Sequence, residues 1–500
     1  MRSTLVALAL FTAFSVQAQG VPCGEDGLID GTYSCENVSL LAHLPLEILG
    51  GRLGNDVWGW TDSVTGREYA LMGLDNGVAF VDVSDPASPS YLGNLPTHTT
   101  ATIWRDFKVY GDYLFVVSEA DKHGMQVFDL AHLRDIAPTQ GPVRFEADAH
   151  YGRVGQSHNI AVDKETATAF IVGSYGPDGC AGGLHLVDIS SPLRPVFAGC
   201  FADDGYTHDT QCIVYDGPDT DYTGREICFA SNEDTVTIVD VTDRDSTVML
   251  SQAIYPNPVY THQGWLTEDR RFFVANDELD EMRYGHTART LIFDVSDLDT
   301  PEFLDAYLSD LPATDHNLYI VGDLIYQANN STGLRILDAT TIADGELAEV
   351  AHFDTFPDKD AIGSGGAWST YPFFASGTVL ISDSQYGLFV VRPESPAPLA
   401  LASFRASSQG QGADLSWTTS DSTHASRFYI EREMNGRWVP AGEVQAFSGR
   451  SSYRFRVGGL GDGNHAFRLR AVKTNGITAY SDTATTTLGI AEAAALETGE

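Results

Sequence analysis

Apolar residues come along this chain in short bursts, some alternating with polar residues and some continuous, and most bursts stop at an aspartate and a turn. The phrase recurs as GVAFVDVSDP from Gly77, GMQVFDL from Gly124, GLHLVDISSP from Gly183, TVTIVDVTD from Thr235, TLIFDVSDLDTP from Thr290 and GLRILDAT from Gly333. A seventh copy, GLFVVRP from Gly387, lacks the aspartate. Runs this short read as β-strands, and the long stripes of 3.6-residue period that a helical solenoid needs are missing. The copies return about every 50 residues, a spacing suited to propeller blades.

Each phrase has companions. YLFVVSE, TAFIVGS, EICFASNE, RFFVAND, LIYQANN and VLISDS precede it, and PSYLGNL, PVFAGCF and PEFLDAYL follow it. With one more leading segment, a unit holds four antiparallel strands, and seven such units are predicted to close radially. The last unit has no outer strand of its own. LLAHLP from Leu40 resembles the outer strands elsewhere, so it is predicted to complete that blade and remove an open edge. The terminal residues Asp82, Asp129, Asp188, Asp240, Asp294 and Asp338 are predicted to cap turns by accepting backbone N–H groups two residues on.

A Pro/Ala stretch, PESPAPLA from Pro393, marks a boundary. Beyond it, short alternating strands with turn signals at Asn435-Gly436 and Asn475-Gly476 resemble a fibronectin type III sandwich, with Trp417 and Tyr429 as expected core aromatics. The predicted organisation is all-β: a signal at 1–18, a segment at 19–37 with a disulfide, a seven-bladed propeller at 38–393 with 38–46 closing its last blade, a sandwich at 399–488, and a tail at 489–500.

Composition narrows the compartment and the partners. Arg2, the apolar LVALALFTAF and the small-residue site Val16-Gln17-Ala18 read as a secretion signal. No other apolar run approaches the roughly 20 residues of a membrane span. Six cysteines suit an exported chain, and they fall as sequence neighbours: Cys23 with Cys35, Cys180 with Cys200, Cys212 with Cys228. Spacing alone leaves their connectivity open. A formal charge of −38, from 68 acidic and 30 basic residues, excludes nucleic acid and anionic membrane as partners, because a negative surface repels polyphosphates. The five lysines suit either a salt-rich habitat or plain solubility. No GxSxG elbow, phosphate loop, dinucleotide fingerprint or zinc-finger spacing occurs.

The VDVSDP, VDIS and IVDVTD phrases resemble the LVIVD-repeat family. NDVWGWTDSVTGREYALMGLDNGVAFVDVSDP and WRDFKVYGDYLFVVSEA, with SHNI and THDTQC behind them, make the stretch from Val38 to Pro393 similar to the choice-of-anchor B family of bacterial surface or secreted proteins. That resemblance implies a secreted or surface-anchored propeller and carries no settled activity. The polar end GIAEAAALETGE has no hydrophobic tail, so release is expected over anchorage.

Alignment of the repeats brings one chemical pattern forward. Asp56, Asp106, His158, His208, His262 and His316 fall at the start of successive first strands, with Gly366 in the seventh. If those strands are innermost, the histidines share one rim of the axis with residues leaving the second strands, among them Glu119, Glu233, Asn276, Asp277 and Asn329. Imidazole suits transition metals and carboxylate suits calcium. His158, His208, His262 and His316 are therefore the expected metal ligands. Asp56, Asp106, Glu119, Glu233, Asn276, Asp277 and Asn329 are the expected ligand-binding residues.

Two other readings stand beside the metal: a structural fastening, each histidine bonding the next blade's backbone, and acid/base catalysis without metal. The expected function is a monomeric binding protein whose mouth takes a protein, small-molecule or carbohydrate ligand. The alternative is a metal-dependent extracellular hydrolase or oxidoreductase. A mouth cavity of roughly 300 Å³ or more would favour a small molecule. Tyr206, Thr207, Thr261 and Trp265 either wall that mouth or pack. His98, His123, His150 and His286 fall in predicted loops and are expected to be solvated, as is the acidic run DELDEMR from Asp277, which lacks the spacing of a helix-loop-helix calcium loop.

Overall fold

The computed structural model describes residues 20–136, 141–176, 179–363, 365–394, 401–419, 425–434, 437–446, 450–473, 478–481 and 483–488. The signal at 1–18, the tail at 489–500 and the turn signals Asn435-Gly436 and Asn475-Gly476 lie outside the described residues.

The chain is all-β and propeller-like. Its innermost strands are β1 (Gly54–Thr61), β2 (Arg105–Tyr110), β3 (Asn159–Asp163), β4 (Asp209–Val214), β5 (Thr261–Leu266), β6 (Leu318–Val321) and β7 (Ala367–Tyr371). Each begins a sheet in which the next three strands are added antiparallel, and the recurring apolar phrase is the third strand every time. Each inner strand neighbours the next, and β7 neighbours β1, so the sheets surround one axis.

The period-two pattern explains the packing. Faces of adjacent sheets meet through aromatic residues of the second and third strands, as with Phe80 on Phe128 at 5.0 Å and Phe229 on Phe273 at 5.3 Å between ring centroids. Six sheets also carry a one-residue slip between third and outer strands, at Phe80/Val81, Leu186/Val187, Ile238/Val239, Ile292/Phe293, Ile336/Leu337 and Val390/Val391. Such bulges add local twist, which turns the outer strand away from its inner neighbours.

The terminal aspartates cap their turns. Oδ1 accepts a backbone N–H two residues on at Asp82, Asp129, Asp188, Asp240, Asp294 and Asp338, at 2.8–3.0 Å.

The N-terminal strand Val38–Leu44 pairs with Gly387–Pro393, joining the two ends of the repeat array. The residues before it do more than carry a disulfide. Tyr33–Glu36 adds to the outer strand Ala348–Phe353 of the sixth sheet, and Leu28–Ile29 adds to Tyr33–Glu36. The cysteines pair as sequence neighbours, Cys23–Cys35, Cys180–Cys200 and Cys212–Cys228. Three disulfides belong to an oxidising, extracellular setting. Among the described residues no helix is long and apolar enough to cross a membrane.

After Pro393 come two further sheets, one built on Gly412–Thr419 and one on Ala425–Met434 and Gly463–Lys473. Trp417 is buried there against Phe428 and Tyr453. Tyr429 departs from its expected core place. Alternation sends Phe428 and Ile430 inward, so Tyr429 faces the other way, with the Arg470 guanidinium 4.1 Å from its ring centre.

Candidate functional site: a histidine mouth and an aromatic mouth

All inner strands run the same way along the axis, so their starts share one rim. His158 and His208 stand just before β3 and β4, His262 is the second residue of β5, and His316 lies just before β6. Their rings pack in an arc across four sheets, with centroid separations of 4.2 Å for His158 and His208, 4.0 Å for His208 and His262, and 4.3 Å for His262 and His316. Trp368 ends the arc, 4.9 Å from His316.

Hydrogen bonds fix which ring nitrogens carry protons. His208 Nδ1 donates to the His262 carbonyl at 2.8 Å, and His316 Nδ1 donates to the Trp368 carbonyl at 2.6 Å. A carbonyl only accepts, so when these rings are neutral Nε2 keeps its lone pair. His158 Nδ1 lies 2.5 Å from Glu119 Oε1. Glu278 sits between two rings, with Oε2 3.7 Å from His262 Nε2 and Oε1 4.0 Å from His316 Nε2. His262, Glu278 and His316 each offer a ligand atom within 4.8 Å of the others.

Burial, reinforced by neighbouring imidazoles, holds His208 and His262 well below the ordinary histidine range and His316 at about 4. These rings are therefore neutral at pH 7. Burial also raises Glu278 to about 7. The space enclosed at this rim is about 20 Å³, room for an ion or one water and far below a small-molecule pocket.

Deeper along the axis, an ionic cluster separates this rim from the far end. Lys108 Nζ lies 2.6 Å from Asp106 Oδ1 and 3.4 Å from Asp56 Oδ2, and 4.7 Å from the centre of the Trp58 ring. Asp106 Oδ2 also accepts the Ile160 N–H at 2.8 Å. Burial opposes ionisation of Asp106, but Lys108 and its hydrogen bonds outweigh it and hold the carboxyl low. Burial pushes Asp56 well up, and Asp209 to about 7.

The opposite end, at the finishes of the inner strands, opens into a cavity of about 370 Å³. Trp58, Trp265, Tyr319, Tyr371 and Phe373 line it, with Asp163, Lys164 and Arg270 among its polar residues.

The structure distributes the expected site residues unevenly. His158, His208, His262, His316 and Glu119 gather at the rim. Asp56 and Asp106 lie within the axis, bound to Lys108. Asn276 is buried near the rim, where its Oδ1 accepts the Gln263 N–H at 3.1 Å. Glu233 is exposed in a left-handed turn, and its carbonyl accepts the Thr261 N–H. Asn329 is buried in the turn to Gly333, its N–H donating to the Gly333 carbonyl.

Asp277 turns away from the rim to accept Tyr255 Oη, Val259 N–H and Tyr260 N–H at 2.7–2.8 Å. Its neighbour Glu278 instead approaches His262 and His316. Because removal of Asp277 strands the Val259 and Tyr260 N–H groups and takes one partner from Tyr255 Oη, Asp277→Ala will cost about 2–4 kcal/mol in urea unfolding. A loss below about 0.5 kcal/mol, the scale of an uninvolved surface change, would free Asp277 for a role at the mouth.

Two expected solvated groups are buried. His123 bonds the Gly124 carbonyl through Nδ1, and its Nε2 lies 3.2 Å from Arg105 Nη1. Burial and then the Arg105 charge lower it to about 3. Within DELDEMR, Asp280 and Glu281 are buried in the short helix Asp280–Tyr284, where Asp280 Oδ2 accepts Arg289 Nε–H at 2.7 Å. Pairing with a cation from the third strand draws the run inward.

Neither Lys108 nor the aromatic mouth was anticipated, and Trp265, expected beside the histidines, lines the opposite end. Their signal is modest: Asp106 and Lys108 are two apart on one strand and therefore share a face, and Trp265 and Tyr319 each stand three residues after an aligned histidine.

No curated protein matches the chain. Among solved structures it is similar to the extracellular domain of BT4673 from B. thetaiotaomicron, described as a one component system. Identity is 12% and the TM-score 0.42, with 90% of this chain and 58% of that chain covered. The C-terminal WD40 domain of Sif2 is similar at 8% identity and a TM-score of 0.42, over 71% of this chain and 98% of that domain. The chain thus spans 58% of the length of the first of these. Its family likeness is to the LVIVD repeat, which matches residues 63–97, the second, third and outer strands of the first sheet.

Proposed function

We propose that the chain is an extracellular binding protein, a seven-bladed propeller followed by a fibronectin type III-like sandwich, whose histidine mouth binds one divalent transition-metal ion. The observation that carries this reading is that His262, Glu278 and His316 each bring a ligand atom within 4.8 Å of the others, with His316 Nδ1 bonded to the Trp368 carbonyl so that its neutral Nε2 keeps a lone pair towards Glu278. Neutral imidazole nitrogen with one carboxylate is a donor set suited to zinc and its neighbours, more than to calcium. A volume of about 20 Å³ supports an ion over an organic ligand.

The fastening reading has its own support, because the Nδ1 bonds of His208 and His316 tie the fourth blade to the fifth and the sixth to the seventh. The two roles use different nitrogens and are compatible.

The test loads the full chain, purified without chelators, with Co²⁺ and then Zn²⁺. About one equivalent should bind, with cobalt ligand-field bands that zinc abolishes. In Glu278→Gln with His262→Ala, affinity should fall at least about 100-fold, while circular dichroism stays native. A wild-type chain that takes up no stoichiometric metal, or a double variant that binds as well as wild type, rejects the metal and leaves fastening alone.

A further inference from the structure

The far end of the axis carries a second kind of chemistry. Its cavity, about 370 Å³, is of the size that encloses small organic ligands, and it is separated from the histidines by the Lys108 cluster. Aromatic rings converge on it from separate inner strands and from the residues after β7. Trp58 lies 5.7 Å from Tyr319 and 5.2 Å from Tyr371, and Trp265 lies 5.1 Å from Tyr319, between ring centroids. Phe373 stands 6.0 Å from both Trp58 and Trp265. Trp265 and Phe373 line the cavity and remain partly exposed, so part of each ring is open to a ligand.

The polar groups there are set for hydroxyls. Asp163 is 5% exposed, and its Oδ2 has no hydrogen-bond partner among the described residues. Its Oδ1 accepts the Glu165 N–H at 2.8 Å, which holds the carboxylate in place. A buried acceptor without a donor costs stability unless something fills the role. Lys164, next along the chain, supplies donors from the same lining and has no ion-pair partner among the described residues. Arg270 is engaged by Asp216, with Nε 3.3 Å from Oδ1.

A free donor and a stacking platform in one cavity, with the buried Asp163 carboxylate at its edge, match a ring that presents hydroxyls at its edge and C–H bonds on its face. In a chain with a formal charge of −38, a neutral ligand also avoids the repulsion that an anion meets. We propose that this mouth binds a neutral sugar, as a mono- or disaccharide unit, stacked on Trp265 and hydrogen-bonded by Lys164.

Titration of the full chain with glucose, galactose, mannose, cellobiose and maltose, followed by tryptophan fluorescence and calorimetry, tests this. At least one sugar should bind with a Kd on the order of 1 mM or tighter. Trp265→Ala should weaken it about 10-fold or more, and Lys164→Gln, a change at an exposed side chain that leaves folding intact, about 5-fold. Lys122→Gln, a surface lysine outside the cavity, should bind as wild type does. Glucuronate should bind more weakly than glucose. No response to any of these sugars at about 100 mM, a response to phenol alone, or equal affinity in wild type and Lys164→Gln overturns the proposal. Sugar binding by the Glu278→Gln, His262→Ala protein should equal wild type, so failure of the metal reading leaves this result unaffected.

Discussion

Replacing Lys108 with methionine will destabilise the folded protein by about 3–5 kcal/mol at neutral pH. Lys108 is the buried cation beside Asp106, at 2.6 Å, and Asp56, at 3.4 Å, and it also lowers the cost of ionising Asp209. Methionine matches its length and apolar stem, so the effect isolates the charge. Without it, carboxyls already raised by burial lose their compensating partner. A carboxyl with a raised folded pKa withdraws stability as pH climbs from its unfolded value near 4 to its folded value. The loss should therefore grow with pH, with the share from Asp209 setting in near pH 7, the value to which it is pushed even with Lys108 present, and should shrink towards pH 5. Adding Asp106→Asn should restore part of it. Urea unfolding at both pH values measures the effect; a loss below about 1 kcal/mol would mean that the cluster behaves as a solvated surface bridge.

Deleting the chain through Leu44 will prevent stable folding. Leu41 and Leu44 are buried against the first and last sheets, and Val38 and Leu40 against the sixth and last. At about 1.5–3 kcal/mol for each apolar side chain, their loss approaches the entire stability of a typical domain. It also exposes Gly387–Pro393 as an unpaired edge, an aggregation template. Deletion through Glu36 is the control. It removes the Cys23–Cys35 clip, whose sequence separation is 12, and the strands added to the sixth sheet, but it keeps the closing strand. That protein should remain a folded monomer, weakened by about 3 kcal/mol. Size-exclusion chromatography and urea titration separate the two, and equal midpoints would show that Val38–Leu44 is not the closure.

Much of the architecture could be read in advance because it rests on short-range causes. The phrase beginning at Gly77 is a strand with a turn, and Asp82 caps that turn from two residues away. Repetition then supplied the four-strand unit, and the likeness of LLAHLP to other outer strands pointed to the pairing of Val38–Leu44 with Gly387–Pro393. The candidate site was legible only as far as alignment reached. It brought His158, His208, His262 and His316 to one rim, but it could not choose between Asp277 and Glu278, since the choice depends on which one the turn after the second strand bends back onto Val259 and Tyr260. Tyr429 failed for a related reason: a single residue of register decides whether it or Phe428 faces the core.

The sequence by itself determined the strands, the capped turns and the repeat, because alternation and Asx capping act over two or three residues. Only the tertiary structure decided that Lys108 divides the axis, that the histidine end has room for an ion, and that the spacious end belongs to Trp58, Trp265, Tyr319, Tyr371 and Phe373. Those outcomes depend on side chains contributed by different sheets, and their proximity exists only once the inner strands have come together around the axis.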